Sequence, residues 1–196
     1  MRPELQNLPE PNWFHHGVQI LDLLDLHQPK VCVELGSNRG CSAIATARLI
    51  RQWGGRLTCV DVWRGTGQGE VTLDTFVANI TAAGVADVID FMQMDTVAAA
   101  GQWVRPIDYL YVDAGHTSAE CMADLEAWWP FLNSGGLFFG DDYDDPHGFS
   151  THGVTKAWDD FEEAHGLLLH RTLSSELLGC QCEKCQAGRL VWGIKP

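Results

Sequence analysis

Acidic side chains follow five successive apolar segments of this chain. They are Glu34 in VCVELG, Asp61 in RLTCVDVW, Asp95 in VIDFMQMD, Asp113 in IDYLYVDA, and the pair Asp141 and Asp142 in GGLFFGDD. Carboxylates accept hydrogen bonds from sugar hydroxyls and amino groups, offset positive charge, and ligate hard divalent cations. Their shared position after an apolar segment therefore indicates one ligand site built from several segments.

Helical patterns separate these apolar segments, so strand-like and helix-like stretches alternate. The segment KVCVELG is short and almost wholly apolar, which is typical of a strand buried on both faces of a parallel sheet. The last two apolar runs, LLLHRTL and RLVWGIKP, could form an antiparallel pair. The sequence therefore predicts an α/β fold, a Rossmann-like, doubly wound, seven-stranded and mostly parallel sheet with helices on both faces and an antiparallel last strand.

The alternation continues without a break in composition, which predicts one domain over residues 1–196. Residues 1–29 form an N-terminal arm and helix, residues 30–165 a cofactor-binding core, and residues 166–196 a strand pair with a Cys-rich loop. Ligands of doubly wound sheets bind outside the carboxyl ends of the strands. The acidic strand ends are thus expected to meet in one crevice.

The composition limits the partners and the compartment. A net charge of −13, from 26 acidic and 13 basic residues, argues against a protein that follows a nucleic-acid backbone. No run reaches the roughly 18 apolar residues of a membrane span, and the N-terminal stretch has no apolar signal core. Seven cysteines, an odd number, indicate reduced thiols. We expect a cytoplasmic protein that acts on a small-molecule acceptor, without nucleic-acid or membrane partners. The sequence does not indicate an oligomeric state.

The loop after the first strand, ELGSNRG, has the spacing E-x-G-x-x-x-G. This is neither the G-x-G-x-x-G fingerprint of dinucleotide binding nor a phosphate loop, which argues against a nicotinamide-dependent reductase. Gly36 would let the backbone approach a ligand closely, and Gly40 would ease the start of the next helix. A ligand with sugar hydroxyls and a cationic centre but no phosphate suits such a loop.

S-adenosylmethionine is a ligand of this kind. Asp61 is placed to accept hydrogen bonds from both ribose hydroxyls, and Val62 and Trp63 to lie against the adenine. Asp95, with Thr96 beside it, is placed to accept from the adenine amino group. Glu34 would lie near the methionine end, where it offsets positive charge.

Five motifs in this order resemble those of the class I S-adenosylmethionine-dependent methyltransferases: VELGSNRG, CVDVW, MQMDT, IDYLYVDAGH and GGLFFGDDY, which cover roughly residues 30 to 165. The resemblance implies cofactor contacts from these strand ends and loops. The residues assigned to cofactor binding are Glu34, Gly36, Ser37, Asn38, Gly40, Ser42, Asp61, Val62, Trp63, Asp95, Thr96 and Asp113.

Asp113, Asp141 and Asp142 end adjacent predicted strands and could supply oxygen ligands to Mg²⁺ or another divalent cation. This resembles the metal-dependent O-methyltransferases of the catechol and macrolide-sugar kinds, in which the metal holds a substrate hydroxyl and lowers its pKa. In that comparison Asp113 and His116 are catalytic, and His116 takes the position of the proton acceptor. Strand alternation would point Asp141 and Asp142 to opposite faces unless the backbone leaves the sheet there, so which of them faces the site stays open.

Two other functions fit the same residues. One is a methyltransferase of this fold that acts without a metal, and the other is a non-catalytic module that binds S-adenosylmethionine. Cys180, Cys182 and Cys185, spaced C-x-C-x-x-C, could also hold Zn²⁺ if a fourth ligand is supplied, for which His170 is the nearest upstream histidine. Reduced surface thiols or a redox pair are the alternatives.

Overall fold

A computed structural model describes residues 2–10, 14, 16–64, 71–143, 153–173 and 189–196. Seven strands in this part of the chain form one sheet: β1 Val31–Leu35, β2 Arg56–Asp61, β3 Ile89–Gln93, β4 Ile107–Val112, β5 Leu132–Tyr143, β6 His170–Leu173 and β7 Arg189–Ile194. Their order is β3-β2-β1-β4-β5-β7-β6. Strands β1 to β5 are parallel, and β7 is antiparallel to both of its neighbours. The predicted Rossmann-like sheet with an antiparallel last strand is confirmed.

Helices cover both faces of this sheet. The described residues include α1 Gly17–His27, α2 Cys41–Ile50, α3 Leu73–Ala82, α4 Thr96–Ala100, α5 Ser118–Trp128 and α6 Gly153–His165. Buried side chains of α1, α2 and α3 pack in one hydrophobic cluster, and those of α4, α5 and α6 pack in another. Among the helices described, none is long and apolar enough to span a bilayer.

Strand β1 shows how the sheet brings an acid into the protein interior. Val33 and Leu35 point into the cluster that contains α5, and Cys32 points into the cluster that contains α2. Because side chains alternate along a strand, Glu34 lies on the Cys32 side. It is fully buried, since β1 is flanked by β2 and β4.

Strand β5 bends at its carboxyl end. Gly140 lies against the Trp158 indole, where a Cβ would come within 2.4 Å of the ring. The pairing of β5 with β7 then shifts register between Gly140 and Tyr143. Asp142 has a φ of 57°, in the left-handed region. The backbone therefore leaves regular strand geometry between the two adjacent acids.

The strand order reverses between β1 and β4: after β1 the chain adds β2 and β3 on one side, and after β4 it adds β5 on the other. The carboxyl ends of these two strands carry Glu34 and Asp113, so the acids lie at the point where ligands of doubly wound sheets bind. The capping box of Thr117 and Glu120 begins α5 directly after the β4 loop, which limits that loop to a few residues.

Candidate active site

Glu34 is a buried acid that lacks a well-formed hydrogen bond. Its side chain is 0% exposed, and neither carboxylate oxygen has a hydrogen bond partner of good geometry in the described residues. Burial raises the pKa of Glu34 to about 7, although the Ser37 and Ser42 hydroxyls nearby offset part of this rise. A ligand that donates hydrogen bonds or carries positive charge would stabilise the ionised form of this carboxylate.

The loop after β1 is fixed by the neighbouring strands. The Gly36 amide donates to the Val60 carbonyl at 2.8 Å, and the Asp113 amide donates to the Leu35 carbonyl at 2.9 Å. Gly36 has a φ of +86°, and a Cβ there would lie 1.9 Å from the Asp113 carbonyl oxygen. The sequence predicted a close backbone approach at Gly36, and the neighbour that requires it is the backbone of Asp113. Gly40, with a φ of +89°, precedes the first residue of α2.

Asp61 joins the loops that follow β1 and β2. One of its carboxylate oxygens accepts from the Asn38 amide at 2.9 Å, and the other accepts from the Trp63 amide at 2.8 Å. Each oxygen keeps a second lone pair, so Asp61 can still accept from a diol.

The Trp63 ring is 4% exposed and packs against Phe76 with 4.7 Å between ring centroids. Its indole N–H donates to the Asn38 carbonyl at 2.9 Å. The ring is therefore part of the hydrophobic core, and Val62, which is partly exposed, is the better placed of the two to face a ligand.

Asp95 is not a strand end. Strand β3 ends at Gln93, and Asp95 caps the short helix α4 by accepting from the Ala98 amide at 2.9 Å. The capping bond takes one oxygen because the first amides of a helix have no partner within the helix. Thr96, the next residue, donates its hydroxyl to the carboxylate of Asp124.

Three side chains at the carboxyl ends of β4 and β5 form a compact polar cluster: Asp113, His116 and Asp142. One ligand atom from each lies within 4.8 Å of the other two, and His116 Nε2 lies 3.1 Å from an oxygen of Asp142. Burial, followed by the charges of Asp141 and Asp142, raises the pKa of Asp113 well above its usual value. The hydrogen bond to Asp142 raises the pKa of His116. A cation between these groups would relieve the repulsion that Asp113 experiences.

Asp141 faces a different set of partners. It accepts from the Tyr111 hydroxyl at 2.9 Å and from the Asp142 amide at 2.9 Å. His16, which is buried just before α1, places its Nε2 3.6 Å from Asp141. The bend at Asp142 thus brings one acid of the pair to Asp113 and directs the other to Tyr111.

Sequence reasoning missed His16 and Asp124. Both are polar residues in apolar surroundings, which is a weak signal by itself. Their partners, Asp141 and Thr96, are distant along the chain. The candidate zinc ligands Cys180, Cys182 and Cys185 lie outside the described residues, and zinc binding there stays a prediction.

Comparison with known proteins agrees with this geometry. A family model described as a methyltransferase domain matches residues 33–143, which include every acidic position discussed above. Among curated proteins, none matches the chain.

Many solved structures share the fold. Cofactor-bound Rv0187 from MTB has a TM-score of 0.74 and 18% identity, over 96% of this chain and 84% of that one. The O-methyltransferase from Bacillus cereus in complex with SAH has a TM-score of 0.67 and 19% identity, over 96% and 85%. TomG, an O-methyltransferase from Streptomyces achromogenes involved in tomaymycin synthesis and seen in complex with SAM, has a TM-score of 0.66 and 15% identity, over 92% and 79%.

Identities this low establish a common fold and nothing finer. The family match rests on sequence, spans more than half of the 196 residues and ends at the carboxyl end of β5. Sheet order, acidic strand ends and family match lead to one conclusion: the chain belongs to the methyltransferase-domain family and has the class I methyltransferase fold.

Proposed function

We propose that this protein transfers the methyl group of S-adenosylmethionine to a hydroxyl oxygen of a small molecule, with a divalent cation at the acceptor. The observation that carries the proposal is the position of two unlike sites at one edge of the sheet. Glu34, a buried acid without a well-formed hydrogen bond, lies near the carboxyl end of β1, and the cluster of Asp113, His116 and Asp142 lies at the carboxyl ends of β4 and β5. The first suits a cationic amino acid moiety, and the second suits a metal-held hydroxyl.

The residues of the first site fit S-adenosylmethionine. Glu34 would hold its charged methionine end, because the carboxylate is buried and its oxygens can still accept. Asp61 would accept from the ribose hydroxyls, and Val62 and the Asp95–Thr96 turn would border the adenine. The cofactor supplies an activated methyl group on a sulfonium, which is a good leaving group. Structural relatives described in complex with SAM and SAH support this assignment.

The residues of the second site fit a divalent cation. Asp113 and Asp142 offer carboxylate oxygens, which Mg²⁺ and Mn²⁺ prefer. The metal would lower the pKa of an acceptor hydroxyl. His116 would accept the hydroxyl proton at Nδ1, because its Nε2–H donates to Asp142, and the Asp142 carboxylate would stabilise the imidazolium that forms. The raised pKa of His116 means that a higher pH is needed before the neutral form, which accepts the proton, predominates.

A methyltransferase without a metal and a non-catalytic cofactor-binding module remain the competing functions. A non-catalytic binding module requires the cofactor site at Glu34 but does not require the polar cluster at the acceptor side. The intact cluster of Asp113, His116 and Asp142 therefore favours an enzyme.

Calorimetry should show that S-adenosylhomocysteine binds the purified chain with a Kd on the order of micromolar, and that NAD does not bind. The loop after β1 lacks the glycine spacing that a pyrophosphate needs, whereas Glu34 and Asp61 suit an amino acid and a ribose. Binding of NAD without binding of S-adenosylhomocysteine would contradict the proposed function.

Asp142→Asn should weaken Mn²⁺ binding by at least about 10-fold, because an amide carries no charge to the cation. Asp141→Asn is the matched control, with the same change one residue earlier; its charge acts on the cluster, but its oxygens accept from Tyr111 and the Asp142 amide, so it should cost only about threefold. Both values come from Mn²⁺ titrations followed by electron paramagnetic resonance. Equal losses in the two variants, or no Mn²⁺ binding by the unmodified protein, would favour the function without a metal.

A further inference from the structure

Asp124 is a buried acid that the proposed reaction does not use directly. It lies on α5 and is 2% exposed. Its carboxylate accepts a hydrogen bond from the Thr96 hydroxyl, and the Gly115 backbone amide lies close enough to lower its pKa. Trp128, one turn further along α5, donates its indole N–H to the Thr96 carbonyl at 3.0 Å. Helix α5 therefore holds Thr96 at two atoms.

The two groups near the Asp124 carboxylate belong to different segments of the chain. Thr96 follows Asp95 at the start of α4, on the side proposed for the adenine. Gly115 lies between Asp113 and His116, in the loop that carries the polar cluster. This loop is packed tightly, since a Cβ at Gly115 would come within 2.4 Å of the Glu120 Cβ. One carboxylate thus connects the two ends of the site.

An ionised acid at position 124 does not stabilise the fold through its charge. Burial raises the pKa of Asp124 to about 6, and the nearby charges, on Asp95 and Glu120, are also negative and raise it further. Among the largest contributions to this pKa from the described residues none is cationic, and the Thr96 hydroxyl and the Gly115 amide are the groups that lower it. A buried charge without a counter-charge is costly, whereas a neutral side chain would avoid the cost.

We propose that Asp124 is a positioning residue that holds the start of α4, at Thr96, and the Gly115 loop in one arrangement and so couples the adenine side of the site to His116. The coupling is reciprocal, because a ligand that fixes the start of α4 also favours one position of the Gly115 loop, and the reverse is equally true. This inference rests on the proposed function, since it assigns Thr96 to the cofactor side.

The test compares Asp124→Asn with Asp108→Asn. Asp108 is the matched control because its carboxylate also accepts hydrogen bonds from backbone amides, those of Lys30 and Val31, and from the Asn133 side chain. It lies near the opposite, amino end of β4. Asparagine keeps the shape of either side chain but can accept through one atom only.

Two measurements at pH 8 separate positioning from general loss of stability. The first is the affinity for S-adenosylhomocysteine by calorimetry, which Asp124→Asn should lower about 10-fold and Asp108→Asn by less than about twofold. The second is the NMR signal of the His116 ring during titration with adenosine, which lacks the methionine end of the cofactor. Adenosine should shift this signal in the unmodified protein and in Asp108→Asn, and should leave it unchanged in Asp124→Asn.

The outcomes distinguish this inference from the proposed function. If the unmodified protein does not bind S-adenosylhomocysteine, the proposed function fails. If it binds, but adenosine does not shift the His116 signal, or shifts it equally in Asp124→Asn, the coupling role of Asp124 is wrong. The same conclusion holds if Asp124→Asn and Asp108→Asn lose affinity equally. Should Asp124→Asn fail to fold, Thr96→Val removes the hydrogen bond between Thr96 and Asp124 and should abolish the same His116 response.

Discussion

Replacing Glu34 by glutamine should weaken S-adenosylhomocysteine binding about 100-fold while removing a pH-dependent loss of stability from the ligand-free protein. The loss of affinity follows from the proposed contact between the carboxylate and the charged methionine end. A buried hydrogen bond between two charged groups is worth roughly 1.5–3 kcal/mol, and an amide retains little of that. Calorimetry on the variant measures this part of the prediction.

The stability of the ligand-free protein should respond to pH through Glu34. Burial raises its pKa from 4.5 to about 7, so the folded protein holds a proton that the unfolded chain has already released. The free energy of unfolding therefore falls as the pH rises from the unfolded value through about 7, and stays lower above it. The contribution is on the order of 3 kcal/mol.

Urea unfolding at pH 5 and pH 8 isolates that contribution. Glu34→Gln has no proton to lose at this position, so its stability should decrease less over this range than that of the unmodified protein. Asp108→Asn also removes an acid, but one outside the site; it should keep both the pH dependence and the ligand affinity. If Glu34→Gln and the unmodified protein lost the same stability between pH 5 and pH 8, ionisation of Glu34 would cost little free energy. The carboxylate would then not be an unsatisfied buried charge.

Replacing Gly36 by alanine should destabilise the fold by at least about 4 kcal/mol, or prevent folding altogether. The new Cβ would lie 1.9 Å from the Asp113 carbonyl oxygen, a backbone atom fixed by the pairing of β1 with β4. The left-handed φ of +86° adds strain of about 1–2 kcal/mol for a residue with a Cβ. Equilibrium unfolding in urea, followed by circular dichroism, measures the total.

Gly84→Ala separates the two contributions. Gly84 has a φ of +69°, yet a Cβ there meets nothing within 4 Å. This variant should therefore lose about 1–2 kcal/mol from backbone strain alone. If Gly36→Ala and Gly84→Ala cost the same, the contact between Gly36 and Asp113 would not constrain the loop as the distance implies.

The features that the sequence predicted correctly are those encoded locally. Apolar runs such as Val31–Leu35 predict buried strands, and their alternation with helical patterns predicts a doubly wound sheet. The acids at or near the carboxyl ends of β1, β2, β4 and β5 lie at one edge, because parallel strands have their carboxyl ends at the same edge of the sheet. Asp95 was assigned to a strand end by a shift of two residues, which is the usual error at an element boundary.

The features that the sequence did not predict depend on contacts between distant residues. Alternation alone leaves open which acid of Asp141 and Asp142 joins Asp113; the register shift between β5 and β7 and the left-handed φ of Asp142 decide it. Strand β7 is far from β5 in sequence, so local pattern carries no information on this shift. The contact of Asp124 with Thr96 was not predicted for the same reason: α5, which carries the acid, packs against the start of α4, and the two residues are distant in sequence.

The place of β7 in the sheet also constrains the order in which the protein assembles. Strand β6 precedes β7 in the chain but pairs with β7 alone, at the outer edge, while β7 pairs with β5. During synthesis β6 therefore emerges before the strand with which it pairs, and it can join the sheet only once β7 has been made. The edge strand of the sheet is thus made before the inner strand that connects it to β5.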